Sequence, residues 1–420
     1  MTCLASSLYN LALIPAAVLL GPWALLSPKR RAALPGRLGL TLPQFPPGGL
    51  WVHALSVGEV ISSRPLLAEL RRVRPDLKLW LSASTATGLA LARQEVAAKR
   101  ADACLAFPWD LAWVVNRFLN RVRPAGVIIV ETDVWPNFVR ACQKRSLPAA
   151  LVNFRISPAR HRGHKRLAWF FKAVYAQLSA VALPTQLDLE RFEELGLDSR
   201  VLCEVTGSLK YDQPQPEPAR PEDFGLEPGR LVLAAGSTHP GEEEIVLAAW
   251  LQLRAEWPDL ALILAPRDTD RFEEAARKIR AVGFEPARLS RGERLSPGRP
   301  VLLVDQLGRL SALYALAQVA FVGGSLVDRG GHNVLEPAAL GRPVLFGPHM
   351  DNFWAEAQRL LASGGGTMVR DRADLVRAMR QLLADPHKAR AQGQAARQTF
   401  VSHQGAAARV VALVGRACRW

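Results

Sequence analysis

Two carboxylates stand where a short apolar run gives way to small and polar residues, the place where a buried strand hands a side chain to a ligand. Glu59 closes the run His53-Ala54-Leu55-Ser56-Val57-Gly58-Glu59, and Glu131 opens Glu131-Thr132-Asp133-Val134-Trp135-Pro136-Asn137. A glutamate just beyond a buried strand can take a proton from an attacking hydroxyl if burial raises its pKa, which makes Glu59 the candidate general base. Its plainer role is a negative charge favoured by a helix N-terminus. Asp133 reads as a structural cap.

A second group of residues suits anion binding. Gly236-Ser237-Thr238-His239-Pro240-Gly241 lies between an apolar run and the helix-like segment opening at Glu242, so its N–H groups and two hydroxyls can face a phosphate. The same segment also reads as a simple capped helix start. Arg267 follows the apolar run Leu260–Ala265, where its guanidinium can clamp phosphate or pair with Asp268 or Asp270. Gly323-Gly324-Ser325 and Gly330-Gly331-His332-Asn333-Val334-Leu335-Glu336-Pro337 form a glycine-rich loop opening a helix. Its amides can hold phosphate while Glu336 accepts two ribose hydroxyls. Asn333 with Glu336 three residues later also fits a capping box.

The elements that must position these residues alternate between short apolar runs and longer helical patterns. Strands are expected at Trp51–Val57, Leu77–Ser84, Gly126–Val134, Ala149–Ile156 and Val201–Thr206, with helices such as Ser62–Val73 and Thr87–Ala98 between them. Unalternating apolar strands separated by helices imply a parallel sheet covered on both faces. A proline-rich stretch, Tyr211–Arg230, then reads as a linker. The alternation restarts at Leu231–Ala235 and continues through Leu260–Ala265, Pro300–Val304, Val319–Val322 and Pro343–Phe346. The fold class is therefore α/β: two Rossmann-like, doubly wound lobes with a cleft between the carboxyl ends of their strands. The domain limits are 1–28, 29–212, a linker at 213–229, 230–395, and a helical 396–420 that packs back on the first lobe.

Composition narrows the class. Five scattered cysteines, with no C-x-x-C pair, form neither a disulfide framework nor a zinc site. No other metal signature replaces them, and no cofactor motif is present. The net charge of +15 points to anionic partners. Residues 1–28 carry no charged side chain and are followed by Lys29, Arg30, Arg31 and Arg37. An apolar stretch of this length suits a membrane anchor, and the flanking charges keep the body in the cytoplasm. Arg155, Arg160, His161, Arg162, His164, Lys165 and Arg166 precede Trp169-Phe170-Phe171. With an anchor nearby, this cluster reads as a surface for anionic lipid rather than nucleic acid.

Taken together, the motifs resemble those of the Kdo (3-deoxy-D-manno-oct-2-ulosonic acid) transferases. The resemblance rests on HALSVGE (53–59), ETDVWPN (131–137), LVNFRIS (151–157), VTGSLKYD (205–212), GSTHPGEEE (236–244), FVGGSLVDRGGHNVLEPA (321–338) and GPHMDNF (347–353). It implies a GT-B fold, CMP-Kdo as donor, a lipid A precursor (lipid IVA) as acceptor, and an inverting transfer without metal or cofactor at the inner membrane. Glu59 then matches the family's general base, and Glu131 a second acidic position near the acceptor. Ser237, Thr238, Arg267, Gly331, Asn333 and Glu336 fall in donor-binding motifs; Ser56, Gly58 and Arg155 fall in acceptor-side motifs. The chain departs from the family pattern at Asp268-Thr269, where His-Pro is usual, at Ser208 for asparagine, and at Arg309 for glutamate. The alternatives are a GT-B transferase using a uridine nucleotide sugar, and a non-catalytic binder of anionic lipid.

Overall fold

The computed structural model describes residues 7–13, 15, 34–131, 134–196 and 200–419. Most of the expected anchor, 1–28, lies outside these residues, as do Thr132 and Asp133. No helix of the described residues is long and apolar enough to cross a membrane. The chain divides into two units, one running to Gln213 and resuming at Gln404, the other spanning Pro214–His403.

The first unit is built on seven parallel strands: β1 (Leu50–Ala54), β2 (Leu79–Ala83), β3 (Ala103–Ala106), β4 (Gly126–Val130), β5 (Ala149–Val152), β6 (Ala180–Leu183) and β7 (Leu202–Val205). Their order is β3-β2-β1-β4-β5-β6-β7. Every residue of β1, β2 and β4 is buried, because helices cover both faces. Trp51, Phe107, Phe118 and Phe138 fill one face, and Val52, Leu66, Leu70 and Val130 the other. Register pairs Ala54 with Val130 and Val130 with Val152, so the carboxyl ends of β1, β4 and β5 are level. The order reverses between β1 and β4, which opens a crevice beyond their ends.

The helix after β1 runs Val57–Val73, starting well before the expected Ser62. Ser56 is extended at its N-cap, and the Glu59 carboxylate turns back to accept the Leu55 N–H at 2.5 Å. This bond satisfies a donor left over at the helix start and pulls Gly58 and Glu59 into the first turn.

The second unit has strands β8 (Val232–Thr238), β9 (Ala261–Pro266), β10 (Ala287–Arg288), β11 (Val301–Leu303), β12 (Val319–Val322), β13 (Val344–Phe346) and β14 (Gly366–Met368). Their order is β10-β11-β9-β8-β12-β13-β14, all parallel, with its reversal between β8 and β12. Trp250, Leu253, Leu262 and Phe321 pack one face, with Ile263, Leu302 and Tyr314 on the other.

Two expected boundaries shift. The proline-rich stretch 213–229 is not wholly a linker, because Phe224 and Leu226 are buried in the core of the second unit. The helical segment expected at 396–420 is also not one element. Pro386–Ser402 belongs to the second unit, and Ala406–Cys418 to the first. Gly405, at φ 88, breaks the run, and the Asp212 carboxylate accepts the Gly405 and Ala407 N–H groups at 2.6 Å each. Val410, Val411, Leu413 and Val414 of the returning helix are buried against the first sheet.

Candidate active site

In the first unit the candidate acids sit on either side of the switch point. Glu59 follows β1 and is half-buried, beside half-buried Ser56 and exposed Gly58. The Leu55 carbonyl accepts the Ser84 and Thr85 N–H groups, both at 3.1 Å, which fixes the end of β1 to that of β2. Beneath them, His53 is fully buried and stacks on Phe107 at 3.6 Å. Its Nδ1 lies 3.0 Å from Ser82 Oγ, which also accepts the Trp51 Nε1–H at 2.7 Å. Burial pushes the His53 pKa down to about 3, so this imidazole is a neutral support under the β1 end.

Glu131 follows β4 with left-handed backbone, φ 59, and Asn153 follows β5 likewise, φ 56. Outside glycine this conformation costs energy and gathers at functional sites. Asn153 Nδ2 donates to Glu131 Oε1 at 2.5 Å, and Asn153 Oδ1 accepts the Leu209 N–H at 3.1 Å. Asn153 lies in the LVNFRIS motif, but its tie to Glu131 spans two strand ends and was not foreseen. The cap of the helix Pro136–Lys144 is another surprise. Asp110, from a distant loop, accepts the Asn137 and Phe138 N–H groups at 3.0 and 2.8 Å. Burial raises its pKa to about 6. Asp133, expected as a cap, is outside the described residues.

Arg155 is half-buried, and its carbonyl accepts Arg160 Nη1–H at 3.0 Å. The basic segment after it forms the helix Pro158–Arg166, followed by Ala168–Tyr175. Its residues divide. His161 and Lys165 pair with Glu194, and His164 is buried 4.0 Å from the Phe171 ring. Arg162, Arg166, Leu167 and Trp169 are exposed. A cavity of about 630 Å³ lies beside them, lined by Val134, Trp135, Leu167, Phe170 and Phe171.

In the second unit, β8 ends in a bulge between Gly236 and Thr238, with Ser237 at φ 56. Only glycine fits at 236: a Cβ there would stand 2.0 Å from the Tyr314 hydroxyl. Thr238 is fully buried, and its Oγ1 has no hydrogen-bond partner among the described residues. Arg267 follows β9, with its N–H on the Thr238 carbonyl at 3.0 Å. The Arg267 side chain is exposed and makes no hydrogen bond or ion pair among the described residues, so the pairing with Asp268 or Asp270 does not occur.

The glycine-rich loop after β12 departs from expectation. Fully buried Glu242 accepts the N–H groups of Gly324, Ser325 and Leu326 at 2.7, 3.0 and 2.9 Å, and of His239 at 2.9 Å. Those amides were expected to hold phosphate; a carboxylate of the protein already occupies them. Glu242 thereby clamps the β8 and β12 loops together. Gly331, at φ 69, closes the loop through its N–H on the Gly324 carbonyl at 2.8 Å. A Cβ there would strike Met350 Sδ at 2.4 Å. Gly331 therefore has a packing role.

Asn333 and Glu336 are brought together. Asn333 Nδ2 donates to Glu336 Oε1 at 3.1 Å, Ser311 Oγ donates to Oε2, and Asn333 Oδ1 accepts the Leu335 N–H at 3.1 Å. Burial raises the Glu336 pKa, opposed by these two donors and by Arg267. His239 and His332 also meet across the switch point, their Nε2 atoms 2.8 Å apart and their rings nearly parallel at 5°. No spacing in the sequence announces a pair 93 residues apart.

Two doubly wound parallel units, each with polar strand-end residues at its switch point, define a protein of GT-B type. Solved structures agree on the fold. A UDP-N-acetylglucosamine 2-epimerase homologue from Listeria monocytogenes superposes with a TM-score of 0.59 at 16% identity, covering 88% of this chain and 96% of that one. The calicheamicin glycosyltransferase matches with a TM-score of 0.50 at 17% identity, covering 89% and 99%.

The sequence relatives are more specific. Residues 31–213 match the family model described as 3-deoxy-D-manno-octulosonic-acid transferase (kdotransferase), and residues 320–415 match a glycosyl transferase-like model. The 3-deoxy-D-manno-octulosonic acid transferase of Haemophilus influenzae is 33% identical over 400 residues, covering 92% of each chain. That of Bordetella pertussis is 34% identical over 400 residues, covering 93% of this chain and 91% of its own. The chain belongs to the Kdo transferase family of glycosyltransferases.

Proposed function

We propose that this protein transfers Kdo from CMP-Kdo to a lipid A precursor, lipid IVA, with inversion and without a metal. The observation that carries the reading is the clustering of unlike chemistry at the two switch points. Carboxylates stand at that of the first unit; a guanidinium, imidazoles and hydroxyls stand at that of the second. In the proposed step the acceptor hydroxyl oxygen attacks the anomeric carbon and its proton passes to Glu59. The carbon–oxygen bond to phosphate breaks, and CMP leaves with the electron pair. Arg267, whose side chain has no hydrogen bond or ion pair among the described residues, meets the charge gathering on the departing phosphate, with Ser237 and Thr238 adding hydroxyls. Asn333 and Glu336 hold the ribose, Glu131 orients the acceptor, and Ser56, Gly58 and Arg155 line its approach.

The same reading places the protein at the cytoplasmic face of the inner membrane through its N-terminal apolar stretch. Exposed Trp169 and Leu167, beside Arg162 and Arg166, suit anionic lipid, because an indole and cationic side chains settle together at a charged interface. The testing experiment incubates purified protein with lipid IVA and CMP-Kdo, and resolves products by mass in the presence of EDTA. A product heavier by one or more Kdo units supports the reading. Intact CMP-Kdo with folded protein, and no product, overturns it.

A further inference from the structure

His239 directly follows β8, and His332 lies in the loop after β12, so the two imidazoles face each other over the crevice where strand order reverses. An Nε2–Nε2 distance of 2.8 Å is a hydrogen bond only when one nitrogen carries a proton and the other does not. Both rings lie against the Gly324 backbone, where a Cβ would come within 2.8 Å of His332 and 3.2 Å of His239. Glu242 fixes both loops beneath them.

We infer that His239 and His332 act as one anion-binding unit whose charge the ligand sets. The pair shares a single proton while the crevice is empty, and takes up a second from solvent when a nucleotide phosphate seats beside it. This rests on the reading of the second unit as the binder of a CMP-linked donor.

The surroundings support the empty state. Burial lowers His239, Arg329 and Arg271 act in the same direction, and Glu242 and Asp268 oppose them. Burial, Arg267 and His239 itself push His332 down to about 4, against Asp268. A phosphate among Arg267, Arg329 and the two rings reverses the balance, because an anion within a few ångströms favours imidazolium. With the Glu242 carboxylate occupying the Gly324, Ser325 and Leu326 amides, side chains have to supply charge that those amides cannot. A proton taken up on binding supplies it only when the ligand is present.

The test titrates CMP into the full-length protein by calorimetry at pH 7.5, in buffers of differing ionisation enthalpy. The phosphomonoester has a second pKa of about 6, so selecting its dianion releases protons; any uptake belongs to the protein. We expect uptake of roughly half to one proton per CMP bound. His332→Gln and His239→Gln, which keep a hydrogen-bonding side chain, should each abolish the uptake and weaken CMP about tenfold, while cytidine binds wild type and variants alike without uptake. CMP binding without uptake in the wild type, or unchanged uptake in both variants, overturns the pair's role and leaves the donor reading standing. No CMP binding by the wild type overturns both.

Discussion

Glu131 and Asn153 hold left-handed backbone at the level ends of neighbouring strands, φ 59 and φ 56, and a side-chain hydrogen bond of 2.5 Å ties them together. The strain at each residue is held by the other's side chain, and Asn153 is held further by the Leu209 N–H. Asn153→Ala loses both hydrogen bonds and keeps the strained φ; Asn153→Gly loses the bonds but removes the strain. The alanine variant should be the less stable by about 1 kcal/mol in urea unfolding. Equal stabilities would mean that the backbone at 153 is not under strain.

Glu59→Gln separates proton transfer from local structure. Its amide oxygen can still accept the Leu55 N–H, so the first turn of the helix Val57–Val73 survives. Circular dichroism and the melting temperature should match wild type, while kcat falls about 10²–10⁴-fold. A glutamine variant turning over at the wild-type rate removes Glu59 from the role of base.

Arg267→Ala should leave stability within about 0.5 kcal/mol, since the side chain is exposed and has no hydrogen bond or ion pair to lose among the described residues. Its effect should fall on transfer, with kcat/KM for CMP-Kdo down about 10- to 100-fold, the worth of one charge-assisted contact. A variant that melts early but transfers normally would make Arg267 structural.

His53 gives the first unit a defined pH response. Its folded pKa, about 3, lies below its unfolded value near 6.5, so the unfolded chain binds the extra proton. Stability from this group is complete above pH 6.5 and declines as pH falls toward 3. At pH 5 the loss is about 2 kcal/mol. His53→Gln keeps a polar group beside Ser82 and removes the titration. Between pH 7.5 and 5 the variant should therefore gain about 2 kcal/mol relative to the wild type in denaturant unfolding, because the opposite response of Asp110 is common to both. Parallel behaviour would show that His53 does not titrate as described.

Strand positions were legible because fully buried strands must be apolar along their whole length, as Gly126–Val130 is. The residues closing those runs were legible as site candidates for the same reason: a polar group at a strand end has left the core. What could not be read were partners set by tertiary approach. Glu242 looks like one of three helix-start acids, yet it alone receives loop amides more than eighty residues away. Asp110, Ser311 and the His239–His332 pair are silent for the same reason. The early helix start at Val57 was missed because Ser56-Val57-Gly58 looks like a turn until the bond from Leu55 to Glu59 is seen. Phe224 and Leu226 were hidden by the prolines around them, whose composition describes a linker more strongly than two apolar residues describe a core.

The return of Ala406–Cys418 to the first sheet sets an order on synthesis. The second unit is one continuous stretch, whereas the first needs residues that the ribosome makes only after all of 214–403. Until then the sheet face that receives Val410, Leu413 and Val414 stays uncovered, and Asp212 has no helix start to cap. The nascent chain thus reverses the usual sequence in which the N-terminal part folds first. The domain begun first is finished second, and through that interval its open apolar face is a target for chaperones.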